Sequence, residues 1–304
     1  MKFWIVTPSY NQLDWLKLCI ASVKDQAGNE ISVHHHIQDA ASTDGTRELL
    51  AEQLNAEPKP GYSFSYASEP DGGMYDAINR GWLKAGDDVD VIAHLNCDEQ
   101  YLPEALGKVA AAVKKKPNVD ILLTDMLVVD EQGNYICHRR SLKPRAWLSR
   151  FWCAAATAVT FQRKSFFDKK RVLFDASWRN IGDKVWYNDL HRAGCRFGVC
   201  HDFTSIFTDS DTNMNLTRES QEERDRYEKE YRNATLVLRG IMSKIQALKR
   251  MLLEFWYRKP SSYCIYERES MERVEKMIAK PTAFWRRSFP VFEENNLNTQ
   301  GKGI

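Results

Sequence analysis

The stretch VDVIAHLNCDE, residues 89–99, gives the clearest indication of how this chain folds. Its apolar run from 89 to 95 reads as a buried strand, and the strand ends abruptly in Asn96, Cys97, Asp98 and Glu99. Carboxylates at the edge of a sheet are costly unless a positive group lies beside them. The stretch therefore predicts a strand that ends either in a turn with solvated acids or at a site that binds something positive.

Strand and helix patterns alternate through the first half of the chain. Strands are predicted at 3–6, 31–38, 62–67 and 89–95. Helices are predicted at 42–54, 75–85 and 104–115, and another is predicted to begin at Asn11 as its N-cap, with Leu13, Leu16, Ile20 and Val23 on its buried face. This order indicates an α/β fold with a mostly parallel twisted sheet covered by helices on both faces. Ligands of such sheets bind at the carboxyl ends of the strands, where residues 96–99 lie.

The pattern changes after Pro117. Residues 121–129 and 135–139 read as two strands around a tight turn, which predicts an antiparallel addition to the sheet. From 217 onward the sequence becomes helical and charged, and an apolar stripe recurs at spacings of three and four, at Leu238, Ile241, Ile245, Leu248, Leu252 and Phe255. We therefore predict an α/β domain at 1–212 and a C-terminal helical region at 213–304.

Length and composition indicate a globular protein. With 304 residues, of which 43% are apolar, the chain is long enough to bury a large core. The N-terminal apolar run is short and ends at Pro8, so we predict neither a signal peptide nor a transmembrane span and expect a cytoplasmic protein. The seven cysteines are an odd number without any Cys-x-x-Cys pair, which argues against a disulfide framework and a zinc knuckle.

Charge is distributed unevenly along the chain. Residues 239–304 contain 13 Lys and Arg against 7 Asp and Glu, whereas residues 1–238 contain 30 against 34. A basic end on an acidic body indicates an anionic partner for the C-terminal region, such as the inner face of the plasma membrane, where the protein would be peripheral. The alternatives are an ordinary solvated helix surface and, for the apolar stripe, a homodimer contact.

Polar clusters follow the predicted parallel strands, at 7–11, 39–46, 69–76 and 96–99. Clusters at successive strand ends indicate a binding site at the carboxyl edge of the sheet. No Gly-x-Gly-x-x-Gly motif follows the first strand and the sequence contains no Gly-x-x-x-x-Gly-Lys motif. These absences argue against the usual dinucleotide site and against a P-loop.

The clusters resemble the motifs of family 2 glycosyltransferases with the GT-A fold. The matching segments are VTPSYN at 6–11, DAASTDGT at 39–46, SEPDGGMYDAINRG at 68–81 and LNCD at 95–98. Order and spacing agree with the family across about residues 3–210. The resemblance implies an inverting enzyme that takes sugar from a nucleotide-activated donor, generally with a divalent metal. We expect a UDP-sugar donor, a glycan or lipid-linked glycan acceptor in surface polysaccharide synthesis, and no nucleic-acid partner.

By this resemblance, Asn96 and Asp98 stand at the family's Asp-x-Asp motif, with Asn96 in the first position. Both are predicted to bind the donor, and Asp98 is the predicted ligand of Mn²⁺ or Mg²⁺. Such a cation bridges a carboxylate to the phosphates of the donor and stabilises charge on the leaving group. Glu99 is predicted to shape the surroundings of this ligand.

The resemblance also assigns residues to the nucleotide. Asp39 is predicted to accept the N3–H of uracil, and Thr7 and Tyr10 are predicted to line the base, because an aromatic ring can stack on its face. Ala40 stands where the family more often has glycine. Asp44 is predicted to cap the helix that follows.

The glycine pair at 72–73 opens the helix predicted at 75–85, whose N-terminal amides could approach the donor phosphates or sugar. The resemblance makes Asp71, Asp76 and Asn79 predicted parts of the donor pocket. For Asp71, capping of the helix is a competing role.

Inverting transfer needs a base that removes the proton of the acceptor hydroxyl as its oxygen attacks the anomeric carbon. In the family this base is an acid that follows a Phe-Asp segment and precedes a helix. LFDASWRNIGDKVW, residues 173–186, has that pattern, so Asp183 is the predicted catalytic base and Asp189 the alternative. An acid stabilised by the helix dipole is the purely structural explanation for Asp183.

Other functions stay open at this point. One is a non-catalytic GT-A scaffold that binds a nucleotide sugar or a protein partner, and another is a nucleotidyltransferase. The presence of Asp39, Asp98 and Asp183 together favours the enzyme, and the Gly-x-Gly-Thr-Arg loop of a nucleotidyltransferase is absent. The three histidines at 34–36 are predicted not to share a metal ion, because adjacent side chains of a strand point to opposite faces. His201 and the polar loop 208–215 are expected to close over the donor or metal.

Overall fold

Strands and helices alternate in the computed structural model, which describes residues 1–28, 30–149, 155–210, 218–232, 236–268 and 270–285. The strands are β1 Lys2–Ser9, β2 Ser32–Asp39, β3 Tyr62–Ser68, β4 Val91–His94, β5 Gln100–Tyr101, β6 Ile121–Val129, β7 Tyr135–Arg139, β8 Thr160–Arg163, β9 Phe197–Thr208, β10 Ser262–Tyr266 and β11 Arg273–Met277. The helices are α1 Leu13–Lys24, α2 Thr46–Leu54, α3 Met74–Leu83, α4 Ala105–Lys115, α5 Ala146–Ser149, α6 Lys164–Lys170, α7 Gly182–Arg192, α8 Arg218–Tyr227 and α9 Leu236–Trp256.

The central sheet has the strand order β3-β2-β1-β4-β8-β6-β9-β5, with β7 also paired to β6. The pairs β1–β2, β2–β3, β1–β4 and β6–β9 are parallel. The pairs β4–β8, β6–β8, β6–β7 and β5–β9 are antiparallel. The predicted α/β fold class is confirmed, and the predicted antiparallel hairpin is β6–β7. The short strands β5 and β8 and the long strand β9 are additions that the sequence pattern does not predict.

Helices cover both faces of the sheet, as the alternating side chains of β1 show. Phe3 and Ile5 lie in a buried cluster with residues of α1 and α4. Trp4 and Val6 lie in a second buried cluster with residues of α3 and α7. Since successive side chains of a strand point to opposite faces, both faces need apolar residues, which explains the continuous apolar runs in the sequence.

The parallel register aligns the carboxyl ends of the first strands. Ser9 of β1, Asp39 of β2 and Ser68 of β3 are direct neighbours in this register. β4 ends at His94, which pairs with Val6 of β1, so residues 95–99 continue beside the last residues of β1. Segments that are far apart in the sequence therefore meet at one edge of the sheet.

The start of α1 differs from the prediction. Asn11 has a positive φ of 48° and precedes the helix. The amide of Leu13 donates to Asp44 at 2.9 Å, and Asp44 also accepts the amide and hydroxyl of Thr46 at 3.2 and 2.6 Å. Partial burial alone would raise the pKa of Asp44, but these hydrogen bonds outweigh it and lower the pKa. The N-cap predicted at Asn11 is wrong, whereas the cap predicted for Asp44 is confirmed and serves two helices.

The C-terminal region contains α9, as predicted, and also the hairpin β10–β11, which was not expected in a helical region. Tyr263 and Ile265 of this hairpin pack against Ile206 of the central sheet. Arg273 forms an ion pair with Asp25, which follows α1, at 2.5 Å. The region therefore packs against the α/β sheet, and the boundary predicted near 213 lies outside the described residues. Among the described helices, none is both long and apolar enough to cross a lipid bilayer.

Candidate active site

Asp39 lies at the centre of a polar row across the ends of β1, β2 and β3. Its carboxylate accepts the amide and the hydroxyl of Ser42 at 3.0 and 2.5 Å, and the hydroxyl of Ser68 at 2.6 Å. The residue has no exposed surface, and Ser9 lies beside it in the strand register. A carboxylate offers about four acceptor positions. Three donors occupy the carboxylate of Asp39, and its remaining acceptor position has no exposed surface, so a ligand would reach it only after a neighbouring side chain moves.

The two residues predicted to line a base differ in exposure. Tyr10 is 64% exposed, so the face of its ring is available for stacking. Thr7 is completely buried, and its hydroxyl pairs with Nε2 of His35 at 2.9 Å. The side chain of Thr7 therefore faces the protein interior, and only its backbone could line a base. The two histidines beside His35 stack against Trp4 on the other face of the sheet, as the strand alternation requires.

The turn at residues 96–99 is held by both neighbouring strands. The thiol of Cys97 donates to the carbonyl oxygen of Pro8, at the end of β1, at 3.1 Å. Thr208, the last residue of β9, donates its hydroxyl to the carbonyl oxygen of Asp98 at 2.5 Å. The backbone of this turn is thus fixed before any ligand binds.

In this turn Glu99 is buried and Asp98 is half-buried. Burial raises the pKa of Asp98, and it raises the pKa of Glu99, which the neighbouring charge of Asp98 raises further. Glu99 is 2% exposed and accepts the amide of Asn96 at 2.8 Å. Within the described residues, Oδ1 of Asn96 is buried without a hydrogen-bond partner. The turn therefore presents oxygen atoms whose pKa shifts show no compensating positive charge among the described residues.

These oxygen atoms suit a divalent cation. Mg²⁺ and Mn²⁺ prefer carboxylate, carbonyl and water oxygens, and Asp98 with Oδ1 of Asn96 supplies the first two kinds. In the part of the chain that the structure describes, no group of three or more His, Cys, Asp or Glu side chains could hold a metal ion. A cation at this turn would therefore need further oxygen ligands from a bound molecule or from water.

The loop between β3 and α3 is a second acidic cluster. Asp71 accepts the amide of Gly73, and Asp76 accepts the amide of Gly72, both at 2.8 Å. Gly73 has a φ of 111°, which only glycine adopts readily. Burial raises the pKa of Asp71, and the charges of Asp76 and Asp39 raise it further. The amide of Glu69, at the start of this loop, donates to the carbonyl oxygen of Asp39 at 2.9 Å, so the loop lies close to the end of β2.

Asn79 is engaged within the protein. Its Nδ2 donates to the carbonyl oxygen of Phe174 at 2.8 Å, and its Oδ1 accepts the amide of the same residue at 2.9 Å. The residue is 9% exposed and both ends of its amide are used. The structure thus shows Asn79 hydrogen-bonded to the start of the segment 173–186, and its contact with the donor stays a prediction.

Asp183 lies in the first turn of α7, beside the first turn of α3. Its amide donates to the hydroxyl of Tyr75 at 3.2 Å, and that hydroxyl donates to the carbonyl oxygen of Asn180 at 3.4 Å. A Cβ atom on Gly182 would come within 2.7 Å of the Tyr75 ring, so glycine permits this close approach. Tyr75 directly follows the acidic loop. The predicted base is therefore brought next to the predicted donor loop.

Two other polar residues lie apart from this arrangement. Asp189 forms an ion pair with Arg192 on the same helix, at 2.8 Å. Nδ1 of His201 lies 3.2 Å from the carboxylate of Asp125. The ring of His201 lies tilted against the ring of Tyr257, with 4.2 Å between ring centroids. His201 thus joins the sheet to the segment after α9. Residues 211–215 of the loop predicted to close over the donor lie outside the described residues.

Sequence reasoning misses two residues that hold the Asp183 segment. Tyr75 lies inside a recognised motif but gives no sign that it contacts residue 183. Glu223 of α8 accepts the amides of residues 179–181, and one glutamate in a strongly charged helix carries no pattern that sets it apart. Both contacts are long-range, so only the folded chain reveals them.

The fold has the GT-A arrangement found in glycosyltransferases. The family described as Glycosyl transferase family 2 matches residues 4–189, and the chain belongs to that family. Two curated relatives are uncharacterized glycosyltransferases of Mycobacterium tuberculosis, from strains CDC 1551 / Oshkosh and H37Rv, each 31% identical over 118 residues. These matches cover 39% of this chain and 42% of each relative, so the matched region is less than half the length of either.

Solved structures of S. aureus TarS share the fold. The structure of TarS 1–349 in complex with UDP-GlcNAc has a TM-score of 0.56 at 18% identity, covering 71% of this chain and 61% of that chain. The structure of TarS 1–349 in complex with UDP has a TM-score of 0.53 at 18% identity, covering 69% and 61%. At this level of identity the similarity shows the fold alone.

Proposed function

We propose that this chain is an inverting, metal-dependent glycosyltransferase that moves a hexosyl or N-acetylhexosaminyl group from a UDP-sugar to a glycan or lipid-linked glycan in surface polysaccharide synthesis. The observation that carries the proposal is the convergence of three features at one sheet edge: the Asp39 row, the turn at 96–99, and Asp183 joined through Tyr75 to the acidic loop. The TarS structures in complex with UDP and UDP-GlcNAc support a uridine donor.

The donor would lie across the ends of β1–β4. Asp39 would accept the N3–H of uracil at its remaining acceptor position once a neighbouring side chain moves aside, and the exposed ring of Tyr10 suits the face of the base. Asp98 and Oδ1 of Asn96 would hold Mn²⁺ or Mg²⁺ together with diphosphate oxygens of the donor. When bound, this cation offsets the charge that develops on the leaving diphosphate.

Transfer follows from the position of Asp183. Its carboxylate takes the proton of the acceptor hydroxyl while the acceptor oxygen forms a bond to the anomeric carbon. The bond between that carbon and the diphosphate oxygen breaks, and UDP leaves with the electron pair from the opposite face. The configuration at the anomeric carbon is therefore inverted.

The alternative function is a scaffold that binds the nucleotide sugar without transferring it. Measurement of UDP release by the full chain, with a panel of UDP-sugars, Mn²⁺, and glycan acceptors present or absent, separates the two. The enzyme is expected to release UDP in an acceptor-stimulated reaction that needs both Mn²⁺ and Asp183. Donor binding without release in every mixture would support the scaffold and contradict the proposed transfer.

We also propose that α9 attaches the protein to anionic lipid, where a lipid-linked acceptor would lie. The apolar side chains described as exposed on α9 are Leu238, Ile241, Leu248, Met251, Leu252, Phe255 and Trp256, with exposures of 39–80%. The same helix carries Lys244, Lys249 and Arg250. Its single acid, Glu254, pairs with His138 and Arg140 of the body of the protein. The exposed apolar side chains and the positive charges of this helix together complement an anionic membrane.

A homodimer through the same stripe would bury the same apolar side chains. It would not require anionic lipid, however, because its stability comes from apolar contact between two copies. The dependence of attachment on lipid charge therefore distinguishes the two partners.

A further inference from the structure

Helix α8 holds the segment that leads to Asp183. The carboxylate of Glu223 accepts the backbone amides of residues 179, 180 and 181 at 2.6, 2.8 and 3.1 Å. These amides are consecutive, and the next residue, Gly182, begins α7. Successive amides that converge on one point form an anion-binding concavity. Here the anion is a carboxylate from the chain itself.

Buried aromatic contacts fix α8 in this place. Trp178 is 1% exposed and packs edge-on against Tyr227, with 6.3 Å between ring centroids. The side-chain Nδ2 of Asn188 on α7 donates to the Tyr227 hydroxyl at 2.6 Å. The guanidinium of Arg226 lies 4.1 Å from the centre of the Trp178 ring. Helix α8 is thus docked on Trp178, which precedes the three amides, and on Asn188, which follows them. This docking keeps Glu223 beside the amides.

The backbone around Asp183 is consequently held from two elements. Tyr75 of α3 binds the amide of Asp183 itself, and Glu223 of α8 binds the three amides that precede Gly182. A catalytic base must lie within hydrogen-bond reach of the proton that it removes, and a misplacement of about 1 Å can cost about a hundredfold in rate. The contacts that set the start of α7 therefore set the reach of Asp183.

We propose that Glu223 is a positioning residue for sugar transfer, acting through the amides of residues 179–181 to place Asp183. The proposal rests on the function proposed above. It gives α8, which lies beyond the family match, an indirect part in the reaction through the position of Asp183. Donor binding is not expected to depend on Glu223, because the donor-binding groups lie at the ends of β1–β4.

Glu223→Gln in the full chain tests this role with little change of shape. The variant keeps one acceptor oxygen but turns an NH₂ group toward backbone donors. Glu222→Gln is the matched control, because Glu222 is the adjacent residue of α8. Its carboxylate forms an exposed ion pair with Arg218 at 3.2 Å. Two measurements are made on each variant: amide hydrogen exchange in peptides that contain residues 179–183, and steady-state sugar transfer.

Glu223→Gln is expected to speed exchange at 179–183 and to lower kcat about tenfold to a hundredfold, with the donor KM unchanged. Glu222→Gln is expected to change neither. Exchange at the parent rate in Glu223→Gln would overturn the contact, and faster exchange with the parent kcat would overturn the positioning role. If the parent chain transfers no sugar at all, the proposed function itself fails, while exchange still decides whether Glu223 holds the segment.

Discussion

On the donor side of the candidate site, Ser9, Asp39 and Ser68 form a row because three parallel strands are in register, whereas the Asp183 side depends on a few side chains from distant helices. The row is secured by backbone hydrogen bonds along whole strands. The Asp183 segment is held by Tyr75 and by Glu223. We therefore expect a single substitution to displace the base more readily than it displaces the donor row. Donor binding and sugar transfer should accordingly be separable.

The largest effect is expected from Asp183→Asn, which keeps the shape of the residue and removes the base. Transfer is expected to fall by about two to four orders of magnitude, the usual contribution of a general base, while binding of the UDP-sugar is unchanged. Initial rates and calorimetric donor binding measure the two properties on the same preparation. Asp189→Asn, on the same helix, serves as the control and should retain parent activity. If Asp183→Asn kept the activity of the parent and Asp189→Asn lost it, the catalytic base would be Asp189.

On α9, the double substitution Phe255→Ser and Trp256→Ser is expected to weaken the attachment of the protein to anionic vesicles by at least about tenfold. Burying a large apolar side chain contributes roughly 1.5–3 kcal/mol, and these two residues are 80% and 75% exposed. Co-sedimentation with vesicles measures the effect. Attachment of the parent should also weaken with salt, because each nearby Lys or Arg contributes about 1 kcal/mol at such a surface.

The matched control is the pair Leu54→Ser and Leu83→Ser, which removes exposed apolar side chains from α2 and α3. Removal of the chain after 237 is a poorer test, because it also deletes the hairpin β10–β11 that packs on the sheet. Equal sedimentation of parent and double variant, or none at low salt, would contradict membrane attachment. A concentration-dependent change in mass that the α9 substitutions abolish would then indicate the homodimer.

Gly182→Ala sharpens the comparison at the contact between α3 and α7. The added methyl group would lie 2.7 Å from the Tyr75 ring, so the ring or the helix must move. Overpacking of this kind costs about 1–3 kcal/mol in the free energy of unfolding, measured by urea denaturation. Gly107→Ala is the control: Gly107 lies in α4 with no heavy atom within 4 Å of the new methyl group, so the helix should gain up to about 1 kcal/mol. Equal effects of the two substitutions would show that Tyr75 does not constrain α7.

The smallest expected effect is a dependence of the free energy of unfolding on pH, which comes from two buried histidines in the core. Burial lowers the pKa of His94 and of His35 to about 3, from 6.5. Between these values the unfolded chain binds more protons than the folded chain, so the stability that the neutral histidines contribute is complete above pH 6.5 and is lost as the pH falls. The loss is about 1.4 kcal/mol per pH unit for each histidine.

His94→Phe removes one of these titrations, and the new ring would face Trp82 and Phe174, which already surround His94. The free energy of unfolding of the variant, relative to the parent, is expected to rise by about 1.4 kcal/mol between about pH 6 and pH 5. Urea denaturation at several pH values measures this difference. A difference that does not change with pH would mean that His94 titrates normally in the folded protein.

The same contrast explains what the sequence can predict. The strands β1–β4, the capping role of Asp44 and the polar strand ends follow from local patterns, because their contacts are made within strands or across neighbouring ones. Tyr75 contacts Asp183 across 108 residues, and Glu223 contacts residue 179 across 44. Asn79 shows the same limit, since its partner Phe174 lies 95 residues away and the motif alone suggests the donor. Local patterns identify which residues are polar at an edge, but long-range packing decides which of them face inward.

Donor binding with and without metal tests the role of the 96–99 turn most directly. Calorimetric titration of UDP-sugars, UDP-GlcNAc among them, is made on the parent chain, on Asp98→Asn and on Asp183→Asn, each with Mn²⁺ and with EDTA. Asp98 is predicted to face a cation, so the parent and Asp183→Asn should bind a donor with Mn²⁺ and lose it in EDTA, while Asp98→Asn should bind about 10- to 100-fold more weakly. Binding of UDP-sugar and Mn²⁺ by Asp98→Asn as tightly as by the parent, or no binding of any UDP-sugar by the parent, would contradict this account.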